Sequence, residues 1–502
     1  MSQGNIMFME EERKWVIDMT ERITDRSITD CKPGPGYSGV TVNRVPKFLL
    51  FLRKESYTPR IVNLGLYHHV IAQPESHMER LKAEAVEMMA RRLPRQEEHL
   101  HLQQAIVSIV CDIKWCYEER FEYKDETVAM IFTLDGCFVL EILRALTDGS
   151  REKNQVHSQQ HCHPFFKTNR IKSCQFDVLG DILMLENQIP IMVLIKLLEV
   201  EKGSEEEARK ELLRLLCSGI IPVIHPFLPY QPDTPNLVEA RLNRFEDLEK
   251  NKHILGLLQS IIVEDPIDLE EKPPCGHNGL HLAVEGLLLA IKRLLLVLKE
   301  YLQKLINQPE EINVMRHQTL MASSRDLHKA GIKFKHYDGV PTLKKMRFVK
   351  RIFESSTLRL PTIWITDNTE VILRNLMALE VCHGFTLISY YVYLLNSLVE
   401  TEGDVVVLRK AQIIQSSMGT DKEVAHILNN LWKGINFNSA DDPFMNLKVD
   451  INSWYKKQLH IKISDYKHRH PRFWRNVSIF WGLAVLVSAA IPTLVNVWEK
   501  IV

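Results

Sequence analysis

Residues 178–201 read VLGDILMLENQIPIMVLIKLLEVE, and this stretch decides the fold class that the sequence predicts. Its apolar residues recur at helical spacing, so it predicts an α-helix over its whole length. The same periodicity predicts further helices on both sides of it, over residues 78–93, 97–119, 126–146 and 205–216. We therefore predict a mostly α fold with a multi-helix globular body.

The second half of the chain contains the one clear β signal. Strand-like alternation or β-branched residues occur in IKFKHY at 332–337, RFVKRIFE at 347–354 and LRLPTIWITD at 358–367. These segments predict a small β element near residues 332–366. Helical periodicity then returns, over residues 369–399, 405–416, 422–431 and 446–467.

Composition and charge limit the classes of function. The chain has 502 residues, with 63 Lys+Arg and 63 Asp+Glu, so its formal net charge is zero. Bulk nucleic-acid binding needs an excess of basic charge to neutralise phosphates, and we predict no nucleic-acid partner. The nine cysteines are scattered along the chain, which indicates reduced thiols rather than a disulfide framework.

The chain divides into three regions. Residues 1–40 form a variable-looking leader, and residues 41–475 form the helical domain. This domain has an irregular central insertion at about 221–318, which opens with the proline-rich loop at 221–235. Within the insertion, apolar residues from Leu280 to Leu305 are spaced alternately four and three apart, as in an a/d seam. The seam either packs within its own domain or pairs two copies of the chain.

The third region, residues 477–498, reads VSIFWGLAVLVSAAIPTLVNVW and contains no charged residue. A run of this length predicts a transmembrane helix that contacts the lipid bilayer, with Trp481 and Trp498 near the interfaces. Basic residues precede the run, so the positive-inside rule predicts a single-pass, tail-anchored protein with its body in the cytosol. The alternative is a fully buried helix of a soluble core.

Signatures of catalysis are missing from the sequence. It has no P-loop, G-x-S-x-G, H-E-x-x-H or kinase motif, so we assign no catalytic and no cofactor-binding residue. His157, His161, Cys162, His163 and Cys174 lack the spacing of a zinc site, so we assign no metal ligand either.

Two acids stand in apolar stretches that look buried, Asp135 in LDGCF and Glu186 in LENQIP. Buried polar groups are normally hydrogen-bonded. We interpret both carboxylates as structural, each capping a helix or bonding a backbone turn.

Seven phrases, in order, resemble a plant-specific family known as domain of unknown function 247, of the UPF0481 type. They are VNRVPKFLLFLRKESYTPRIVNLGLYHH at 42–69, HMERLK at 77–82, CYEERF at 116–121 with MIFTLDGCFVLEILR at 130–144, DILMLENQIPIMVLIKLLE at 181–199, SSRDLHKAGIKFK at 323–335, LRLPTIWITDNTEVILRNLMALEVCH at 358–383, and the C-terminal apolar run. The resemblance departs from the family pattern at Leu66, where the family usually has proline, and over residues 225–318. It implies a plant membrane protein with a long helical body, and it implies no reaction.

Taken together, these features favour a membrane-anchored module that acts through protein–protein interaction, in recognition or signalling, with an unknown protein partner. One alternative is an enzyme of an unrecognised class, and another is a recognition receptor with its body outside the cell. The enzyme alternative expects polar motif residues to converge on one pocket with perturbed pKa values. The motif residues to follow are Tyr67, His68, His69, Asp135, Glu186, Asn187, Gln188 and Pro190.

Overall fold

A computed structural model describes the chain over residues 40–69, 77–93, 100–152, 175–221, 225–227, 252–263, 321–337, 343–350, 355–384, 386–435 and 441–456. The chain forms two compact units. The first comprises Met1–Ile262 and Trp364–Ile388, and the second comprises Val263–Ile363 and Ser389–Val502. The predicted leader, the Leu280 seam and most of the proline-rich loop lie outside the described residues.

The first unit is built of helices. Its described helices are α1 (Lys47–Arg53), α2 (His77–Ala90), α3 (Leu100–Val107), α4 (Val110–Trp115), α5 (Asp125–Glu152), α6 (Gln175–Ile182), α7 (Ile191–Lys202), α8 (Glu205–Leu215), α9 (Ile254–Val263, whose last residue belongs to the second unit) and α11 (Thr369–His383). The mostly helical body that the periodicity predicts is thereby confirmed.

The helix α5 lies at the centre of the first unit. Its side chains are buried almost without interruption from residue 131 to 147, as in a helix that is surrounded by others. It packs against α2, α3, α7 and the π-helical turn Leu216–Ile220 that follows α8. Gly136 allows α7 to come close, because a Cβ there would lie 2.5 Å from a side-chain carbon of Leu197.

The predicted continuous helix over residues 178–201 is wrong in its middle. The structure has α6 ending at Ile182 and α7 beginning at Ile191, directly after Pro190. Proline has no amide hydrogen and disfavours helical geometry in the residue before it. The residues between the helices include the LENQIP turn (residues 185–190), which is buried although it is not helical.

The second unit combines helices with a small sheet. Its described helices are α10 (Ser324–Lys329), α12 (Leu387–Leu398, whose first two residues belong to the first unit), α13 (Glu402–Lys410), α14 (Asp421–Leu431) and α15 (445–456). Its strands β1 (Lys333–His336), β2 (Arg347–Val349) and β3 (Thr357–Leu360) form a sheet in the order β1-β3-β2. Strand β1 is parallel to β3, and β2 is antiparallel to it.

Two more short strands are β4 (Ile363–Ile365) and β5 (Ile414–Ser416). Strands β1 to β4 confirm the β element predicted near residues 332–366. The helix predicted over 405–416 is wrong at its end, because α13 stops at Lys410 and β5 follows. Gln412 takes a left-handed conformation with φ 59°, and the Ile413 amide turns back to the Leu408 carbonyl, which closes the helix.

The predicted fold class also included a C-terminal transmembrane helix, and this prediction is wrong. No helix among the described residues is both long and apolar enough to cross a membrane. Helix α5 has 28 residues but includes charged side chains such as Asp135, Glu141 and Arg144, and the apolar α9 has 10 residues, about half of what a bilayer core requires. The segment proposed as the span, residues 477–498, lies outside the described residues.

Candidate functional site

Residues 41–69, which we call the arm, form the part of the first unit that the motif residues contact. Apart from α1 and a single 3-10 turn (Lys54–Ser56), the arm has little regular secondary structure. Its backbone amides therefore lack helical partners, and buried amides must find other acceptors. Near its start, the amides of Thr41 and Val42 both donate to the Cys116 carbonyl, at 2.9 and 2.8 Å.

The carboxylate of Asp181, at the end of α6, binds three consecutive amides of the arm. It accepts hydrogen bonds from the amides of Arg60 at 3.0 Å, Ile61 at 2.7 Å and Val62 at 2.9 Å. Burial raises the pKa of Asp181, and the three amide hydrogen bonds oppose that shift by favouring the ionised form. This side chain thus supplies acceptors that the arm backbone cannot supply for itself.

The two amide side chains of the LENQIP turn also hold backbone groups. Asn187 accepts a hydrogen bond from the Leu64 amide at 2.7 Å and donates to the carbonyls of Val62 and Asp181. Gln188 donates to the carbonyls of Ile182, the last residue of α6, and of Met184, and it accepts from the Leu255 amide at the start of α9. Through these side chains, one turn connects the arm and two helix ends.

Asp135 of α5 is buried beside the arm. One of its oxygens accepts from the Gly65 amide at 2.8 Å, and the other lies 2.8 Å from the Lys82 ammonium. Lys82 in turn donates to the Asn63 carbonyl of the arm at 2.7 Å. Burial raises the pKa of Asp135, and the neighbouring Lys82 charge opposes that shift. The pair is a buried ion pair with backbone partners on both sides.

Glu186 joins the start of the arm to its end. Its Oε1 accepts from the Val45 amide at 2.8 Å, and its Oε2 lies 3.0 Å from Arg44 Nη1 and 3.5 Å from His68 Nε2. Burial lowers the pKa of His68, against the Glu186 charge, which raises it. The guanidinium of Arg44 also pairs with the half-exposed Glu119 at 2.7 Å.

Aromatic rings cover this ion-pair cluster. The Arg44 guanidinium lies 4.0 Å from the centre of the Tyr67 ring, a cation–π contact. The Tyr67 ring also packs on Tyr117 and Phe121, and its hydroxyl donates to the Val42 carbonyl at 3.0 Å. Burial raises the pKa of Tyr67 to about 12. The hydroxyl is therefore a neutral hydrogen-bond donor at physiological pH.

Comparison with known proteins identifies the family. A model of a plant protein family of unknown function, DUF247, matches residues 42–488. The chain belongs to the DUF247 family. The resemblance that the seven phrases predict is thus confirmed.

Two relatives of this DUF247 chain come from Arabidopsis thaliana. The putative UPF0481 protein At3g02645 is 26% identical over 503 residues, which cover 90% of this chain and 88% of the relative. The UPF0481 protein At3g47200 is 22% identical over 443 residues, which cover 87% of this chain and 81% of the relative. No solved structure matches the chain significantly.

The motif residues of the DUF247 chain fall into one neighbourhood but take different places in it. Tyr67, His68 and Glu186 lie together in the ion-pair cluster. His69 is half-buried, and burial lowers its pKa while the nearby Asp135 charge raises it. Pro190 directly precedes α7, and its carbonyl accepts a hydrogen bond from the Val193 amide at 3.0 Å.

The polar side chains of this neighbourhood mainly bind the backbone of the arm. The oxygens of Asp135, Asp181 and Glu186 accept hydrogen bonds from arm amides. A general acid or base needs a proton or a lone pair that can reach a substrate, and these groups are already engaged. No cluster of His, Cys, Asp and Glu in the described part of the chain could hold a metal ion. The histidines and cysteines at 157–174 lie outside that part.

Sequence reasoning missed several anchoring residues of the DUF247 arm: Arg44, Gly65, Lys82, Tyr117 and Asp181. One of them had a usable signal, because Asp181 interrupts an apolar stretch in LGDILML in the same way as Asp135 does in LDGCF. A lysine on an otherwise amphipathic helix looks like a solvated side chain, so the burial of Lys82 at 1% exposure had no sequence signal.

Proposed function

We propose that this DUF247 chain is a protein-interaction module, in which the arm presents a short apolar helix to a protein partner. The proposal rests on three large apolar side chains of α1, Phe48, Phe51 and Leu52, which we call the α1 patch. Their exposed fractions are 50%, 91% and 47%. Burying one such side chain against a partner contributes about 2 kcal/mol, so the patch could anchor a stable complex.

The spacing of the α1 patch favours a protein groove as its binding site. The three side chains stand at positions i, i+3 and i+4 of one helix, which is the pattern of anchors in helix-in-groove recognition. Leu49, on another side of the same helix, is buried in the first unit. The helix is therefore held by one face and free on the other.

Basic side chains surround the α1 patch. Lys47, Arg53 and Lys54 are exposed, and none has an ion-pair partner among the described residues. Glu55 is the one acid in this short stretch. We infer that the partner is a protein whose apolar groove has an acidic rim, because complementary charges steer association and fix orientation.

The anchored arm supports this function energetically. Five side chains, Asp135, Asp181, Glu186, Asn187 and Gln188, hold the arm or the turn beside it by hydrogen bonds. A helix that is already in its bound position loses less conformational entropy on binding. The motif residues act in this proposal as positioning residues for the α1 patch.

A double substitution of the α1 patch, Phe48→Ser with Phe51→Ser, tests the proposal. Quantitative affinity purification from plant tissue is expected to yield partners that the wild type retains and the variant loses. Phe176→Ser is a matched control, because Phe176 is a phenylalanine that is 61% exposed on α6, outside the α1 patch. The control is expected to retain the same partners as the wild type, and the lost partners are expected to dissociate at high salt.

Three results would contradict the proposal. The first is a set of partners that the patch variant leaves unchanged. The second is patch-dependent sedimentation with anionic vesicles while no protein depends on the patch, since a membrane surface would then be the occupant. The third is a patch-dependent change of mass in size-exclusion chromatography of the pure chain, which would make a second copy the occupant.

A further inference from the structure

The β1-β3-β2 sheet of the second unit has two chemically different faces. Residues in register across a sheet point to the same side. One row across the three strands consists of Phe334, Leu358 and Phe348, which are buried or half-buried. The neighbouring row consists of Lys335, Arg359 and Arg347, and it lies on the opposite face.

The row of Lys335, Arg359 and Arg347, which we call the cationic row, places three positive charges side by side. Adjacent strands are about 4.8 Å apart, so the row extends over about 10 Å. Like charges directly opposite each other destabilise a sheet. Such a row is therefore unfavourable unless an anion neutralises it.

No carboxylate of the described residues pairs with the cationic row. Those that form ion pairs in this unit bind other cations: Asp326 pairs with Lys329, Asp450 with Lys350, Asp421 with Arg409, and Asp442 with Lys448. Lys335 and Arg347 are exposed, and Arg359 is half-buried between them. Within the described part of the chain, no carboxylate neutralises the positive charge of the row.

Tyr337 follows β1 and lies beside the two arginines of the cationic row. Its hydroxyl is buried and lies near the Arg347 backbone, to which it forms no well-aligned hydrogen bond. Burial raises the pKa of Tyr337 to about 12, against the positive charges of Arg347 and Arg359, which lower it. Those two arginines therefore lie near a neutral phenol.

We propose that the cationic row binds a soluble small molecule that carries several phosphate groups. Arginine side chains bind phosphate oxygens through two parallel N–H donors, and lysine adds a point charge. A patch of about 10 Å suits a compact polyphosphate better than an extended polymer, which would need a longer basic surface. The balanced net charge of the chain agrees with a local anion site and not with a general affinity for nucleic acid.

Isothermal titration calorimetry of the full chain with inositol hexakisphosphate as the probe tests this site. The wild type is expected to bind, and the double variant Arg347→Ala with Arg359→Ala is expected to bind at least about tenfold more weakly. Lys410→Ala with Lys422→Ala removes two exposed lysines of the same unit outside the row. This matched control is expected to bind within about twofold of the wild type.

Thermal unfolding checks that the variants fold. Without the probe, Arg359→Thr is expected to melt at or above the wild-type temperature, because it removes cross-strand repulsion. The probe is expected to raise the melting temperature of the wild type and not that of Arg359→Thr. The exposed edge variant Lys335→Ala gives a second test of binding if either arginine variant fails to fold.

Several outcomes would overturn the proposal. The first is that the wild type does not bind the probe, and the second is that the wild type and the row variants bind it equally. The third is that the row binds phosphoinositide vesicles or single-stranded RNA while the chain does not bind the free probe. The last outcome would assign the row to a lipid surface or to a nucleic acid.

Discussion

At the scale of single residues, Gly65 marks the closest approach of the arm to its surroundings. It has φ +68°, and a Cβ there would lie 2.2 Å from the Tyr117 hydroxyl and 2.9 Å from the Gln188 carbonyl oxygen. Those two groups form a hydrogen bond of 2.8 Å. A side chain at this position would therefore strain the backbone and break a buried hydrogen bond.

Gly65→Ala is expected to lower the free energy of unfolding by about 3 kcal/mol, from backbone strain together with overpacking. Gly203→Ala is the matched control, because Gly203 has φ +74° with nothing within 4 Å of its Cβ position. It is expected to cost about 1 kcal/mol. Urea unfolding of both variants measures the difference, and equal losses would contradict the close approach at Gly65.

His253 is the residue that gives the arm a defined dependence on pH. Its Nε2 lies 3.0 Å from the Thr41 carbonyl oxygen, and its Nδ1 accepts from the Gly256 amide at 3.0 Å, so the ring is neutral with its proton on Nε2. Burial lowers the pKa of His253 from 6.5 to about 4. The unfolded chain therefore binds this proton more readily than the folded chain.

The stabilisation linked to His253 is present above pH 6.5 and is lost as the pH falls toward 4. From pH 7 to pH 5, the wild type is expected to lose about 2 kcal/mol more unfolding free energy than His253→Gln, at about 1.36 kcal/mol per unit of pKa. Urea unfolding at both pH values measures it. The same pH dependence in both proteins would show that His253 is not neutral and buried.

The sequence predicted the role of some single residues but not their partners. Asp135 and Glu186 interrupt apolar stretches, and their interpretation as structural acids agrees with their hydrogen bonds to the Gly65 and Val45 amides. Those amides are 70 and 141 residues away along the chain. Periodicity is a local property, so it cannot pair residues at such separations.

At the scale of elements, the LENQIP turn explains the largest error in the helix predictions. Its side chains are buried like those of the helices on both sides, although Glu186, Asn187 and Gln188 are polar. Pro190 was the local signal for the break, and Asn187 and Gln188 supply the hydrogen bonds that a non-helical turn needs. When side chains supply the hydrogen bonds of a buried turn, hydrophobic periodicity does not distinguish that turn from a helix.

For other elements, the local sequence contained the signals that the structure bears out. Strands β1 and β2 were predictable because one row of their side chains faces the interior and the next faces solvent, which gives a period of two. The helix predicted over 369–399 is interrupted after His383, where Gly384 takes φ +74° as a C-cap. Glycine at that position was the available signal.

At the scale of the whole molecule, each unit offers a different kind of contact surface. The first unit presents the apolar α1 patch on an arm fixed by motif residues, and the second presents the cationic row on its sheet. The proposals for the two surfaces are independent, because they rest on different residues in different units. The sequence offered the Leu280 seam as a surface that could pair two copies, and the seam lies outside the described residues.

The central claim is that buried polar side chains of the first unit, Asp181 and the polar motif residues, hold the arm in place. Hydrogen exchange of the amides of residues 60–62, followed by mass spectrometry, tests it most directly. These amides are expected to be protected in the wild type and to exchange much faster in Asp181→Ala, while Asp177→Ala, on the same helix, leaves them protected. Unprotected amides in the wild type, or protection that survives in Asp181→Ala, would contradict the claim.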